Sequence, residues 1–191
     1  MISLISEAAE LQAFFELEGR DFFFVGGIAL QIWGEPRLTT DIDCTIFTNL
    51  RNEDEQIRNL ITRFKSRFAD EITALEHART RRVLLLKVDS GTEIDILLSG
   101  LADISTELQR STYQPFTPEI SLRVCSAENL IAYKTVAGRL KDFADIESVI
   151  IKQERLDWDY IDEWLAQAAE YQDLEENLNI LKRLKKENYR L

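Results

Sequence analysis

The chain has 191 residues, 45% of them hydrophobic, and 23 Lys and Arg against 34 Asp and Glu give it a formal net charge of −11. That is enough apolar material to bury a core without a disulfide or metal staple, while the acidic balance argues against long nucleic acid, whose binding depends on Lys and Arg displacing counterions. No apolar run approaches the ~18 residues of a membrane span, and the start lacks the basic flank of a signal peptide. The expected location is therefore the cytoplasm, where two cysteines without metal-ligand spacing, Cys44 and Cys125, stay reduced.

Leu4, Ala8, Leu11 and Phe15 recur as one side of an amphipathic helix. Asp21 to Val25 then reads as a buried strand ending at Gly26-Gly27, and Ile28 to Trp33 as the start of a helix. Glycines at a helix N-terminus combine free N–H groups and a favourable dipole with a missing Cβ, so a phosphate can come close. A Gly-Gly pair on its own also reads as a plain tight turn, and it fits neither a Walker loop nor the Gly-x-Gly-x-x-Gly of a dinucleotide fold.

Next come Arg37, Thr39 and Thr40, then Asp41-Ile42-Asp43. Side chains on a strand alternate faces, so Asp41, Asp43, Thr45 and Phe47 share one side and Ile42, Cys44 and Ile46 the other. Two residues of rise set the Asp pair about 7 Å apart at Cα, a separation from which carboxylates can converge on hard cations. A solvated strand end is the plainer alternative.

Ile57, Leu60, Ile61, Phe64 and Phe68 predict the apolar face of one helix, opened by a capping box of Asn52 and Glu55. The basic stretch from His77 through Arg79, Arg81 and Arg82 reads as an edge-strand gatekeeper or solvated loop, or as a contact for a triphosphate or RNA acceptor. Val83 to Val88 is an almost unbroken apolar strand, Asp89-Ser90-Gly91 a hairpin turn, and Thr92 to Leu98 the returning strand. Asp95 sits in the middle of that strand. A carboxylate there is costly unless it binds metal or pairs with a nearby Arg or Lys; Glu93, on the same face, is its rival.

Tyr113 to Phe116 and Ile120 to Val124 predict short strands beside Pro115 and Pro118. Beyond Ser126, a plausible N-cap, the chain reads as helical, including Trp158, Ile161, Leu165 and Ala168 and a basic cluster at Lys182 to Lys186. If the first of these helices runs through Gly138, then Lys134, Gly138, Lys141 and Asp145 share one face. That stripe is a candidate pocket wall or an ordinary solvated face, and Gly138 is equally able to end the helix.

Gly26-Gly27, thirteen residues, Asp41-Ile42-Asp43 and a third strand aspartate together resemble the signature of the nucleotidyltransferase superfamily that includes DNA polymerase beta and the antibiotic nucleotidyltransferases. Within it, the run from Arg37 to Asp43, with Lys134 and the Lys141-Asp142-x-x-Asp145 motif downstream, is similar to the AbiEii-like group, some of whose members are toxins of two-gene systems. The resemblance implies an α/β (α+β) nucleotidyltransferase fold, with a mixed central sheet flanked by helices. A catalytic core over 1–125 and a helical region over 126–191 are expected.

It further implies two Mg2+ ions held by Asp41, Asp43 and Asp95, with Asp95 beside the acceptor hydroxyl. Lys134 is the implied triphosphate ligand, and Gly26, Gly27, Arg37, Thr40, Lys141, Asp142 and Asp145 are the other implied nucleotide-site residues. The expected reaction moves a nucleoside monophosphate from an NTP, ATP among them, to a hydroxyl of RNA, protein or a small molecule, releasing pyrophosphate. A cognate antitoxin is the implied partner, and no membrane is involved. Two rivals remain: a non-catalytic protein that keeps the fold to bind a nucleotide or partner, and a metal-free module whose aspartates make ion pairs. With Lys134 as the implied triphosphate ligand, Lys134→Ala is expected to weaken NTP binding with little effect on the fold.

Overall fold

The computed structural model describes residues 2–48, 51–99 and 105–189. The chain divides into two compact units, one made of residues 1–28 and 38–124, the other of residues 29–37 and 125–191.

The first unit is built on a seven-stranded mixed sheet in the order β3-β4-β5-β2-β1-β7-β6. Its strands are β1 (Phe22–Phe24), β2 (Asp41–Phe47), β3 (Lys65–Ser66), β4 (Val83–Lys87), β5 (Glu93–Ser99), β6 (Thr112–Pro115) and β7 (Ser121–Val124). Three consecutive phenylalanines suit β1 because it lies between β2 and β7 with both faces covered. All three rings are buried, and Phe22 packs with its ring tilted 47° against Phe15 of α1 (Ile2–Leu17), centroids 5.1 Å apart. Each such burial contributes about 1.5–3 kcal/mol. On β2, β4 and β5 alternation leaves Ile42, Cys44, Ile46, Leu84, Leu86, Ile94 and Ile96 fully buried on one face, with Thr45 the one buried residue of the opposite face. The other face is thereby released for polar groups.

Two segments differ from the sequence expectation. The helix after β2, α3 (Glu53–Arg63), stops before Phe64, and Lys65–Ser66 leaves it to pair with β4. Its capping box does not form. Asn52 makes no side-chain cap and instead accepts from Gln56 Nε2 at 3.0 Å, while the first-turn Glu53 is buried and taken by Arg82 at 2.7 and 2.8 Å. The basic stretch is not a loop or strand edge but the end of a helix, α4 (Glu71–Arg81). That helix is capped by Asp70, which accepts from Thr73 N at 2.8 Å, and it closes at Arg82 in the left-handed region, φ 55°. Its buried face is only Ala74, Leu75 and Ala78, too small an apolar stripe to register as periodicity. Arg79 pairs with Asp54 and Arg82 with Glu53, so two of the basic residues bind the acidic start of α3. A short α5 (Ser105–Arg110) precedes β6.

The second unit is helical. The glycine corner opens α2 (Gly26–Trp33), which carries the chain from the first unit into the second. There Trp33 Nε1 donates to Cys125 O at 2.7 Å, and Gln153 and Lys152 donate to the carbonyls of Trp33 and Gly34. Ser126 caps α6 (Ala127–Ala137) by accepting from Asn129 N, and Gly138, φ 63°, ends it. A Cβ at Gly138 would also run into Asn177, whose Nδ2 donates to Thr135 O at 2.9 Å. The chain restarts as α7 (Leu140–Lys152), followed by α8 (Trp158–Ala169) and α9 (Glu175–Asn188). The continuous helix through Gly138 is therefore replaced by two helices. No helix among the described residues is long and apolar enough to cross a membrane.

Candidate active site

Two charged clusters emerge from these elements. In the first unit, β2 and β5 run parallel in a register that sets Asp43 beside Asp95 and Asp41 beside Glu93. Adjacent strands lie about 4.8 Å apart, so four carboxylate-bearing positions occupy one face of two neighbouring strands. The turn before α2 is shaped around this face. Gly26 has φ 55°, and a Cβ there would collide with the Asp43 carboxylate; one on Gly27 would collide with Thr39. The missing Cβ atoms are thus needed by the chain's own side chains. Thr39 Oγ1 donates to Asp41 Oδ1 at 2.8 Å and is buried, whereas Thr40 is exposed. Thr39 is a contact that motif reading passed over, although its period-two spacing to Asp41 and Asp43 carries the signal.

A second missed residue is Arg67. Its main-chain N–H donates to Leu85 O at 3.1 Å, and its guanidinium pairs with both Glu93 and Asp95. No local pattern points to it, because it reaches β5 from a chain segment 28 residues away. Burial first, and then the charges of Asp41 and Glu93, hold the Asp95 carboxyl above the ordinary carboxylate range against the pull of Arg67. The same field crosses the sheet: burial pushes the Cys44 thiol well up, and Asp43 and Asp95 add to it.

The donor chemistry fits a hard divalent cation, since every candidate ligand is a carboxylate oxygen on a face crowded with like charge. Among the described residues no three His, Cys, Asp or Glu side chains are gathered closely enough to hold an ion. Asp95 instead meets the Arg67 cation.

In the second unit, Lys134 of α6 reaches across the break at Gly138 to Asp145 at 2.6 Å and Asp142 at 3.3 Å, both on α7. Arg37 binds Asp145 with Nε at 3.0 Å and Nη2 at 2.9 Å, and Arg139 Nε binds Asp142 at 2.6 Å. Arg139 N also donates to Asp142 Oδ2 at 3.3 Å, and Asp142 N donates to Arg139 O at 2.8 Å at the start of α7. Lys134, Asp142 and Asp145 are all buried, at 5%, 0% and 6% exposure. Burial alone would raise both aspartates; the hydrogen bonds and charges of Arg139 and Lys134 on Asp142, and of Arg37 and Lys134 on Asp145, outweigh it and hold both below the ordinary range. Lys141 is exposed. Arg139 is the member of this network that motif reading did not select.

Comparison with known proteins agrees with this architecture. The family model described as "Nucleotidyl transferase AbiEii toxin, Type IV TA system" matches residues 11–189. Among solved structures, the antibiotic-resistance factor ANT(2'')-Ia is similar at 15% identity and TM-score 0.58, over 93% of this chain and 98% of that one. An antigenic nucleotidyltransferase-like protein from Paracoccidioides brasiliensis is similar at 18% identity and TM-score 0.51, over 94% and 92% of the respective chains. At these identities the two structures speak for the fold. No curated protein matches the sequence.

Proposed function

The chain belongs to the nucleotidyl transferase AbiEii toxin family of type IV toxin–antitoxin systems, and on that premise we propose that it is a divalent-metal-dependent enzyme moving a nucleoside monophosphate from an NTP to an acceptor hydroxyl. The observation that carries this reading is the parallel register that sets Asp43 beside Asp95, with Asp41 one pleat earlier and Gly26 cut back to admit Asp43. Asp41, Asp43 and Asp95 are the residues to hold two Mg2+ ions, which when bound would offset the triphosphate charge and acidify the attacking hydroxyl.

In the transfer the acceptor oxygen bonds to the α-phosphorus, the bond from that phosphorus to the bridging oxygen breaks, and its electron pair leaves with pyrophosphate. The hydroxyl proton passes to Asp95, the carboxylate that the family resemblance sets beside the acceptor. Thr39 holds Asp41 in its rotamer, and the Gly26 corner does the same for Asp43. Lys134, with its ammonium oriented by Asp142 and Asp145, is assigned to the triphosphate, supported by Arg37, Lys141 and the exposed Thr40. The family points to a cognate antitoxin as protein partner.

The test incubates the full chain with each NTP, 32P-labelled at the α or in parallel at the γ position, Mg2+ and a cell extract that supplies RNA, protein and small molecules together. Label should move to one acceptor class from the α but not the γ position, with pyrophosphate released. Nucleotide binding without transfer to any class would instead favour a protein that keeps the fold only to bind. An Asp43→Asn variant that labels as well as wild type would overturn the site.

A further inference from the structure

The guanidinium of Arg67 rests on the one carboxylate of the β2–β5 face that the metal reading needs for closure. Its position is built by the sheet. Arg67 is anchored by its main-chain N–H to Leu85 of β4, Leu85 is the register partner of Asp95, and the side chain therefore crosses β4 to reach β5 directly opposite. There it straddles Glu93 and Asp95, two residues apart on the same face, with one terminal nitrogen on each. Its Nε is buried without a hydrogen-bond partner, so the carboxylates are what hold the head group. The two partners differ. Glu93 lies at the strand start and is more than half exposed, whereas Asp95 is one-third exposed beside Asp43.

On the reading that Asp41, Asp43 and Asp95 bind metal, we propose that Arg67 is an internal counter-cation that occupies Asp95 in the metal-free protein and withdraws to Glu93 when a divalent cation arrives. Charge makes this exchange necessary. A guanidinium and a divalent cation on the same carboxylate repel at a separation where even screened Coulomb energies are large, while leaving both acids uncompensated without metal would set like charges side by side. Glu93 supplies the second resting place, one pleat along the strand, so Arg67 need not be expelled into solvent. Arg67 is in this sense a positioning residue, setting the threshold of cation concentration at which the third carboxylate becomes available.

The test is a calorimetric Mn2+ titration of the full chain for wild type, Arg67→Gln, Glu93→Gln and Arg67→Gln combined with Asp95→Asn. Removing the competing charge should tighten Mn2+ binding about tenfold in Arg67→Gln. Glu93→Gln should weaken it about threefold, because Arg67 then has no partner but Asp95. The tightening should vanish in the double variant. Wild type that binds Mn2+ together with an Arg67→Gln variant of equal or lower affinity overturns the exchange and leaves the metal reading standing. Tightening that persists without the Asp95 carboxylate overturns it too, since Arg67 would then act only through its distant charge. No Mn2+ binding in any variant sinks the metal reading and the exchange together. If Arg67→Gln fails to fold, Glu93→Gln decides: unchanged or tighter binding overturns the proposal.

Discussion

The aspartates of β2 and β5 and the aspartates of α7 are the same residue in opposite circumstances. Asp142 and Asp145 are deeply buried, yet each is met by two cations, and both stay ionised more readily than a carboxylate in water. Asp95 is less buried, meets one arginine shared with Glu93, and is harder to ionise. The contrast teaches that burial by itself does not mark a reactive acid. What separates the two clusters is charge balance: the helical network sets three cations around two carboxylates, while the sheet face carries an excess of negative charge that an outside cation can relieve.

Substitutions that break this contrast should move activity on one side and stability on the other. The largest effect expected is Asp43→Asn, which should lower labelling of the acceptor by about a thousandfold or more while leaving the unfolding midpoint near wild type. The same variant read by thermal melting checks that the loss is chemical. Lys134→Met comes next. Against the expectation that Lys134 can be removed with little effect on the fold, it takes one of two cations from each of the buried Asp142 and Asp145, and urea unfolding should show a loss of about 1.5–3 kcal/mol.

Gly26→Ala sharpens the comparison from the backbone side. A Cβ in the left-handed region that also collides with Asp43 should cost about 1–3 kcal/mol and displace the carboxylate, measurable as weakened Mn2+ binding. The smallest effect is on pH. Asp142 and Asp145 have folded pKa values below their unfolded ones, so the stability they contribute is complete above about pH 4 and is lost as pH falls through the folded values. Urea midpoints should therefore drop below about pH 4, and Asp142→Asn should flatten that slope.

Much of the sheet was legible because its signals are local. Three phenylalanines before a Gly-Gly corner, an Asp-x-Asp in alternation with Ile42, Cys44 and Ile46, and a hairpin at Asp89-Ser90-Gly91 each declare a strand and its faces within a few residues. The helix α4 was hidden because its buried stripe is two alanines and one leucine. The end of α3 was misplaced because Phe64 and Phe68 continue its apolar spacing although the chain has already turned to pair Lys65 and Ser66 with β4. In the candidate site, Asp41, Asp43 and Asp95 could be picked out by motif and Thr39 by its spacing to them, whereas Arg67 and Arg139 could not, since what identifies those two is the partner each touches.

The sequence by itself determined which side chains share a face on each strand and where the backbone needed glycine, because alternation and left-handed φ are properties of a residue and its immediate neighbours. Only the tertiary structure decided that β5 rather than another strand lies beside β2, and in a register that matches Asp43 to Asp95. It alone brought Arg67 onto Asp95 from across β4, and Lys134 onto two aspartates beyond a helix break. Those pairings depend on which surfaces pack best over long chain separations, and many registers satisfy the same local pattern before packing selects one.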